Sequence, residues 1–131
     1  MKFRFYYFLV LAVLIIFSAC KKEPGPGGQA SVQGKLLVKS YNSNCSNTPE
    51  IYYGIDEDVF IIYGDEQVAG ERVRTGPDGT FRFDYLQKGD YTVYALSEDC
   101  AAPGDLTTVK QQVTITDRKQ QLVLPDIEVI R

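Results

Sequence analysis

The side chains that could carry chemistry in this 131-residue chain are mainly carboxylates, because the sequence contains no histidine. Histidine is the commonest general base and the commonest zinc ligand in proteins. Its absence excludes Ser/His/Asp and Cys/His catalytic arrangements. A hydrolase that uses two carboxylates remains conceivable, but no spacing of the acidic residues fixes two of them opposite each other. Solvated loop charge is the favoured interpretation, so we expect no enzymatic activity and no cofactor.

The acidic run at 56–58 offers a different chemistry. Asp56 and Asp58 could bind calcium together with a second acidic loop, since hard oxygen ligands from adjacent loops suit that ion. No EF-hand spacing is present in the sequence. A calcium-stabilised module with a carboxylate site therefore stands as an alternative hypothesis.

Tyr52 and Tyr53 are the candidate ligand-binding residues. Adjacent residues of a strand point to opposite faces, so one of the two tyrosines could be exposed. An exposed tyrosine ring can stack on a sugar or on a protein partner. This predicts a surface site for a glycan or for another protein of the cell envelope.

Nucleic acid is disfavoured as a partner. The first 30 residues contain one acidic and four basic residues, which leaves 16 acidic and 10 basic residues from Ser31 onward, a net charge of −6. No basic stripe interrupts this acidic balance.

Residues 1–19 have the pattern of a secretory signal. Basic residues at 2 and 4 precede an apolar run at 5–17, and two small residues come before Cys20. An uncleaved membrane anchor is the alternative, but this apolar run falls short of the roughly 20 residues that span a bilayer.

The end of this leader, Ile16-Phe17-Ser18-Ala19-Cys20, resembles a bacterial lipobox. The resemblance implies that Cys20 is acylated, and its acyl chains would anchor the protein at about 0.8 kcal/mol per buried methylene. Aspartate after the cysteine can retain lipoproteins at the inner membrane, so Lys21 implies the outer membrane of a Gram-negative cell. Whether the domain faces the periplasm or the exterior stays open. Residues 21–29, KKEPGPGGQ, are expected to form a flexible tether.

The remaining sequence is typical of β-strands separated by turns. Strands are predicted at 31–41, 51–54 with 59–63, 68–75, 80–85, 91–96, 106–116 and 120–130, and no helix is indicated. Within 80–85, the alternation places Phe81, Phe83 and Tyr85 on one face, which is expected to be core. Most of the aromatic residues Phe60, Phe81, Phe83, Tyr85 and Tyr91 are expected to be needed for the core. Pro125 predicts a bulge or an edge position, because proline cannot donate to a ladder.

The run T-x-x-D-G-x-F-x-F-x-x-L-x-x-G-x-Y-x-V at 75–93 resembles the carboxypeptidase-regulatory-like and collagen-adhesin B-type repeat families. The resemblance covers roughly residues 30–131. It implies an all-β, seven-stranded Greek-key sandwich of transthyretin-like or prealbumin-like, Ig-like type, serving as a non-catalytic stalk, spacer or adhesion module. The segment 86–91 also resembles the corner of such sandwiches, in which a tyrosine hydroxyl bonds nearby backbone.

Cys45 and Cys100 remain once Cys20 is assigned to lipid. An exported, oxidising compartment favours a disulfide between them. If consecutive strands alternate in direction, the first and fifth strands end at the same pole, and each cysteine follows one of these ends by four residues. Such a bridge would stabilise the fold by roughly 4 kcal/mol on the loop-entropy model. Two free thiols are the alternative.

Some adhesin B-type domains contain an isopeptide bond between a lysine on the first strand and an asparagine or aspartate on the last. The resemblance would place it at Lys35 and Asp126. No asparagine follows Asn47, however, and Lys35 falls on the polar row of its strand. We expect two exposed strand residues instead.

Together these patterns divide the chain into a signal peptide at 1–19, a lipidated cysteine with linker at 20–30 and one β-sandwich at 31–131. The predicted function is a lipid-anchored, non-catalytic module of the cell envelope that acts in binding, spacing or assembly. Its expected partners are the membrane, through the lipid, and another envelope protein or a glycan.

Overall fold

The computed structural model describes residues 23–131, and these form nine β-strands without a helix. The predicted signal peptide and Cys20 lie outside the described residues. The strands are β1 (Pro26–Ser40), β2 (Glu50–Tyr53), β3 (Asp58–Tyr63), β4 (Glu71–Arg74), β5 (Thr80–Leu86), β6 (Gly89–Glu98), β7 (Leu106–Ile115), β8 (Gln121–Val123) and β9 (Ile127–Ile130). Residues 23–131 offer no helix long and apolar enough to cross a membrane.

The strands form two sheets. The long strand β1 is the centre of a five-stranded sheet, in which β5 and then β2 pair antiparallel with one edge of β1, while β8 and then β9 pair parallel with the other. The second sheet has the order β4-β3-β6-β7 and is antiparallel throughout.

The prediction of seven strands is wrong by two for identifiable reasons. The segments β2 and β3 were counted as one strand, but they belong to different sheets and the chain crosses between them at 54–57. The segment 120–130 is divided at Pro125 into β8 and β9. Both pieces pair only with β1 in the described chain, so Pro125 occupies the predicted edge position, where its missing N–H removes no ladder bond.

Side chains from both sheets meet in one hydrophobic core. Its fully buried members include Val32, Leu36, Val38, Phe81, Phe83 and Ile127 from the first sheet and Val59, Ile61, Tyr91, Val93 and Ala95 from the second. Three of the five aromatic residues considered for this core, Phe81, Phe83 and Tyr91, are buried as expected, whereas Phe60 is not. Val59 and Ile61 face inward, so the period of two turns Phe60 to the outer side, where it is half-buried.

Tyr85 also departs from its predicted place. Phe81 and Phe83 are buried as expected, but Tyr85 is 74% exposed and Leu86 takes the next buried position. The cause is a β-bulge: between the pairs Ala30–Leu86 and Val32–Phe83, the single residue Ser31 of β1 faces two residues of β5, Asp84 and Tyr85. An extra residue on one strand reverses the alternation beyond it.

The N-terminal end of β1 corrects the predicted tether. The strand begins at Pro26 rather than Ser31, so the end of the expected tether at 21–29 is part of the sheet. The N–H of Gly25 donates to the Tyr91 hydroxyl at 2.9 Å, and that hydroxyl donates to the Gln87 carbonyl at 2.7 Å. The expected hydrogen bond between the Tyr91 hydroxyl and nearby backbone is thereby confirmed. Burial raises the pKa of Tyr91 above its ordinary value.

The predicted disulfide is confirmed. Cys45 and Cys100 are bonded, with their Cα atoms 5.7 Å apart. Both ends of β1 lie beside the matching ends of β6: the Gly25 N–H donates to the Tyr91 hydroxyl, and Arg131 donates to the carbonyls of Lys39 and Leu96. Between them, β2 runs antiparallel to β1 and β3 antiparallel to β6, so β2 and β3 have the same direction. Because β2 and β3 run in the same direction, counting them as one strand still predicts that β1 and β6 end at the same pole.

Candidate binding face

The outward side of the five-stranded sheet presents an aromatic ring among charged side chains. Inward burial of Leu36 and Val38 turns their neighbours on β1 outward. Register then aligns β2, β9 and β5 with these outward residues. We call this side the β1 face and define it by Lys35, Lys39, Tyr53, Arg82, Asp126 and Glu128.

Tyr53 is fixed across the β1 face. Its hydroxyl donates to the Asp126 carboxylate at 3.1 Å on the opposite edge of β1. The ammonium of Lys35 lies 4.7 Å from the ring centroid, a distance at which a cation is attracted to the ring. The residue nevertheless remains 42% exposed. The ring is therefore held in place while part of it stays open to a ligand.

Tyr52 points the other way, as the sequence predicted. It pairs with Val38 of the inward row, whereas Tyr53 pairs with Leu37 of the outward row. Tyr52 is still 45% exposed, because β2 is an edge strand and has a neighbouring strand on one side only. Both tyrosines are thus accessible, but only Tyr53 belongs to the β1 face.

Each cation of the β1 face has an acidic partner. Lys35 lies 3.7 Å from Asp78, Arg82 lies 2.6 Å from Asp84, and Lys39 is paired with Glu128.

The pKa values of two of these charged groups are shifted. The hydrogen bond and charge of Glu128 raise the pKa of Lys39. Asp78 accepts hydrogen bonds from the Thr80 hydroxyl at 2.8 Å and the Thr80 N–H at 3.1 Å, and these lower the pKa of its carboxyl.

The carboxylates proposed for calcium are bound to arginine. Nη1 of Arg74 lies 3.1 Å from both carboxylate oxygens of Asp56, and its Nε lies 3.3 Å from Asp58. Arg72 reaches Asp58 at 3.5 Å. Across residues 23–131, no group of three or more acidic or cysteine side chains could hold a metal ion. The second acidic loop that the calcium hypothesis requires does not converge here.

Lys35 and Asp126, the two positions weighed for an isopeptide bond, are both connected to Tyr53. Lys35 pairs with Asp78 and lies over the tyrosine ring, while Asp126 accepts from its hydroxyl. Both residues therefore support the side chain of Tyr53.

Three other outward aromatic residues, Phe60, Tyr94 and Tyr85, were not identified from the sequence. Phe60 and Tyr94 stack on the outer side of the four-stranded sheet, with centroids 5.0 Å apart and planes at 13°. The period of two could have identified Tyr94, since alternation in the run YTVYA at 91–95 separates it from Tyr91, Val93 and Ala95. Tyr85 could not be found this way, because its bulge carries no glycine.

Comparisons with known proteins add little to this geometry. No family model matches the chain, and no curated protein matches it. A similar solved structure is that of a "putative carbohydrate binding protein" from Pseudomonas aeruginosa, 17% identical, which aligns over 83% of this chain and 93% of its own with a TM-score of 0.48. A likeness of this degree carries no argument about what the present chain binds.

Proposed function

We propose that the protein is a non-catalytic binding module of the cell envelope that binds a neutral glycan through the β1 face. The observation that carries the proposal is Tyr53, an exposed ring fixed by Asp126 on one side and by Lys35 on the other. A side chain that is immobilised before binding loses little conformational entropy when a ligand arrives. Such preorganisation suits a binding site.

The chemistry around the ring favours a sugar. The C–H groups on one side of a pyranose carry slight positive charge and pack on the negative face of an aromatic ring. Carboxylates and ammonium groups beside the ring can then hydrogen-bond the sugar hydroxyls. The ion pairs leave no unpartnered cation among those defining the face. The net charge of −6 from Ser31 onward repels polyanions, so the expected glycan is uncharged.

We also propose that Cys20 is acylated and that the protein resides at the outer membrane. The lipobox-like end of the leader supports this, together with Lys21 after the cysteine. The resemblance of residues 75–93 to the transthyretin-like families supports a Greek-key assignment for the sandwich. In this arrangement the lipid precedes the Tyr91 end of the domain, while Tyr53 lies opposite Leu37, toward the disulfide end. Tyr53 would then lie toward the end of the domain that is farther from the bilayer.

Polysaccharide binding tests the function directly. The probes are insoluble cellulose, chitin and starch, with soluble xylan and mannan, and alginate as an anionic control. We expect the wild type to bind at least one neutral probe and Tyr53→Ala to weaken that binding at least tenfold, about 1.4 kcal/mol. Tyr52→Ala is the matched control, since it removes an equally exposed tyrosine from outside the face. Equal losses in the two variants, or no binding of any neutral probe, would contradict the proposal.

Intact mass spectrometry of the membrane-extracted protein tests the anchor. We expect loss of residues 1–19, a lipid-sized increment on Cys20, and two thiols that appear only after reduction. Cys20→Ser should abolish the increment and release the protein from the membrane. An unmodified N-terminus in the wild type would refute lipid anchoring while leaving the glycan hypothesis intact.

A further inference from the structure

Tyr85 occupies a position that the fold itself does not explain. Its backbone has φ of 58°, in the left-handed region that is unfavourable for bulky L-residues. Glycine would adopt this conformation without steric penalty. The side chain is 74% exposed and takes part in none of the aromatic pairs formed within residues 23–131. Neither backbone preference nor packing accounts for a tyrosine here.

The bulge places this ring on the same sheet as Tyr53. Asp84 and Tyr85 together lie opposite Ser31 of β1, whereas Tyr53 pairs with Leu37. Six residues of an extended strand span about 20 Å. Bulges commonly re-aim a side chain beside a binding site, and this one exposes a tyrosine that regular alternation would have buried.

Polar groups cover the stretch of sheet between the two rings. Arg82 bonds Asp84 at 2.6 Å and the Gln33 side chain at 3.1 Å, which fixes its guanidinium on the outer side. Lys35 and its partner Asp78 follow toward Tyr53. The pattern is an aromatic ring at each end and oriented hydrogen-bonding groups between them.

We propose that Tyr85 is a second sugar-stacking position of the β1 face, and that the ligand is therefore an extended neutral polysaccharide chain lying along β1 from Tyr85 to Tyr53. This inference rests on the proposed glycan-binding function. A single sugar reaches one ring only, because the rings are about 20 Å apart. A chain reaches both, and its second contact is then intramolecular, which strengthens overall binding. The site thus selects for ligand length as well as for sugar chemistry.

Affinity as a function of ligand length tests the inference. Oligosaccharides of two to eight sugars, cut from whichever panel polysaccharide binds, are titrated calorimetrically into wild type, Tyr85→Ala, Tyr53→Ala and the control Tyr52→Ala. We expect wild-type affinity to rise at least tenfold once the oligosaccharide spans both rings. Tyr85→Ala should abolish that rise, so that long oligosaccharides bind this variant no more tightly than short ones do.

The outcomes separate this inference from the function on which it rests. Equal wild-type affinity for short and long oligosaccharides, with Tyr53→Ala still defective, would overturn the role of Tyr85 and leave the proposed function standing. An unaltered length dependence in Tyr85→Ala would overturn it as well. Absence of binding at every length would refute both.

A second variant uses the backbone conformation. Tyr85→Gly should raise the midpoint of thermal unfolding by a few degrees, because glycine tolerates positive φ. It should also reduce affinity for long oligosaccharides to the level of Tyr85→Ala. Tyr85→Phe should retain long-chain affinity within threefold, since the ring does the stacking. A lower unfolding midpoint in Tyr85→Gly would mean that the tyrosine serves the fold, and would contradict the inference.

Discussion

On the outer side of the four-stranded sheet, Phe60 and Tyr94 stack on each other, whereas Tyr53 and Tyr85 on the five-stranded sheet meet no other ring within residues 23–131. The stacked pair joins neighbouring strands in register and is half-buried. Tyr53 is instead held by Asp126 and Lys35, and Tyr85 is held out by a bulge.

The stacked pair and the two separate tyrosines differ in the contacts that their rings make in the free protein. A cross-strand aromatic pair stabilises a sheet by roughly 0.2–1 kcal/mol relative to alanine. Its rings are already partners of each other, so we expect them to serve stability. Rings that are fixed by charge or by backbone geometry, without a second ring against them, retain exposed surface for a ligand. Exposure alone would not separate these two uses, but the contacts of each ring do.

Removing the disulfide should have the largest effect, and it should affect both sheets alike. Cys45 follows β1 of one sheet and Cys100 follows β6 of the other. The double variant Cys45→Ser/Cys100→Ser should lose about 4 kcal/mol of unfolding free energy, because the unfolded chain is no longer constrained. Denaturant unfolding measures the loss. A loss below about 1 kcal/mol would show that the bridge contributes little to stability.

The Tyr91 hydroxyl should rank next, since it serves neither outer face. Tyr91→Phe leaves the Gly25 N–H and the Gln87 carbonyl without this buried partner. We expect a loss of about 2 kcal/mol and unchanged polysaccharide binding. Thermal and denaturant unfolding check the first part, and the polysaccharide panel checks the second. An unaltered stability would mean that water replaces the hydroxyl.

Breaking the stacked pair tests the comparison most directly. Tyr94→Ala should cost about 1–2 kcal/mol, because it removes half-buried area and a ring contact. It should leave affinity for the polysaccharide unchanged. Tyr53→Ala should show the reverse, with lost binding and a stability change below about 1 kcal/mol.

A double-mutant cycle with Phe60→Ala should give a coupling of about 1 kcal/mol. Loss of glycan binding in Tyr94→Ala, with the fold intact, would reverse the roles of the two faces.

The sequence allowed much of this scaffold to be predicted, because several signals were local. The alternation of Phe81 and Phe83 and the hydrogen bond of the Tyr91 hydroxyl follow from residues close together in the chain. The pairing of Cys45 with Cys100 spans 55 residues, but it follows from the alternating direction of consecutive strands. Tyr52 and Tyr53 were assigned to opposite sides by the same rule. These are the features that the structure confirms.

The rest could not be predicted for physical reasons that differ by residue. In the run VFIIY every residue is apolar, so periodicity could not say that Phe60 faces outward. Tyr85 sits at a bulge without the glycine that usually marks positive φ. The support of Tyr53 by Asp126 depends on residues 73 positions apart, and only the pairing of β2 and β9 with the same strand brings them together.

The smallest predicted effect is a pH dependence at the margin of the β1 face. Hydrogen bonds from Thr80 hold the pKa of Asp78 below its ordinary value of 3.8. The folded state therefore favours the ionised carboxylate, which stabilises the fold at pH values above the ordinary pKa. This contribution is lost as the pH falls through the lowered pKa of the folded state.

Unfolding curves recorded from about pH 6 down to about pH 2.5 should show a smaller decline in stability for Asp78→Asn than for the wild type. Thr80→Val removes the hydroxyl donor but keeps the carboxylate, so its decline should lie between the two. Because Asp78 also pairs with Lys35, which lies over the Tyr53 ring, polysaccharide affinity should weaken in the same acidic range. Identical declines in stability for all three proteins would show that Asp78 does not link the turn at 76–79 to the β1 face.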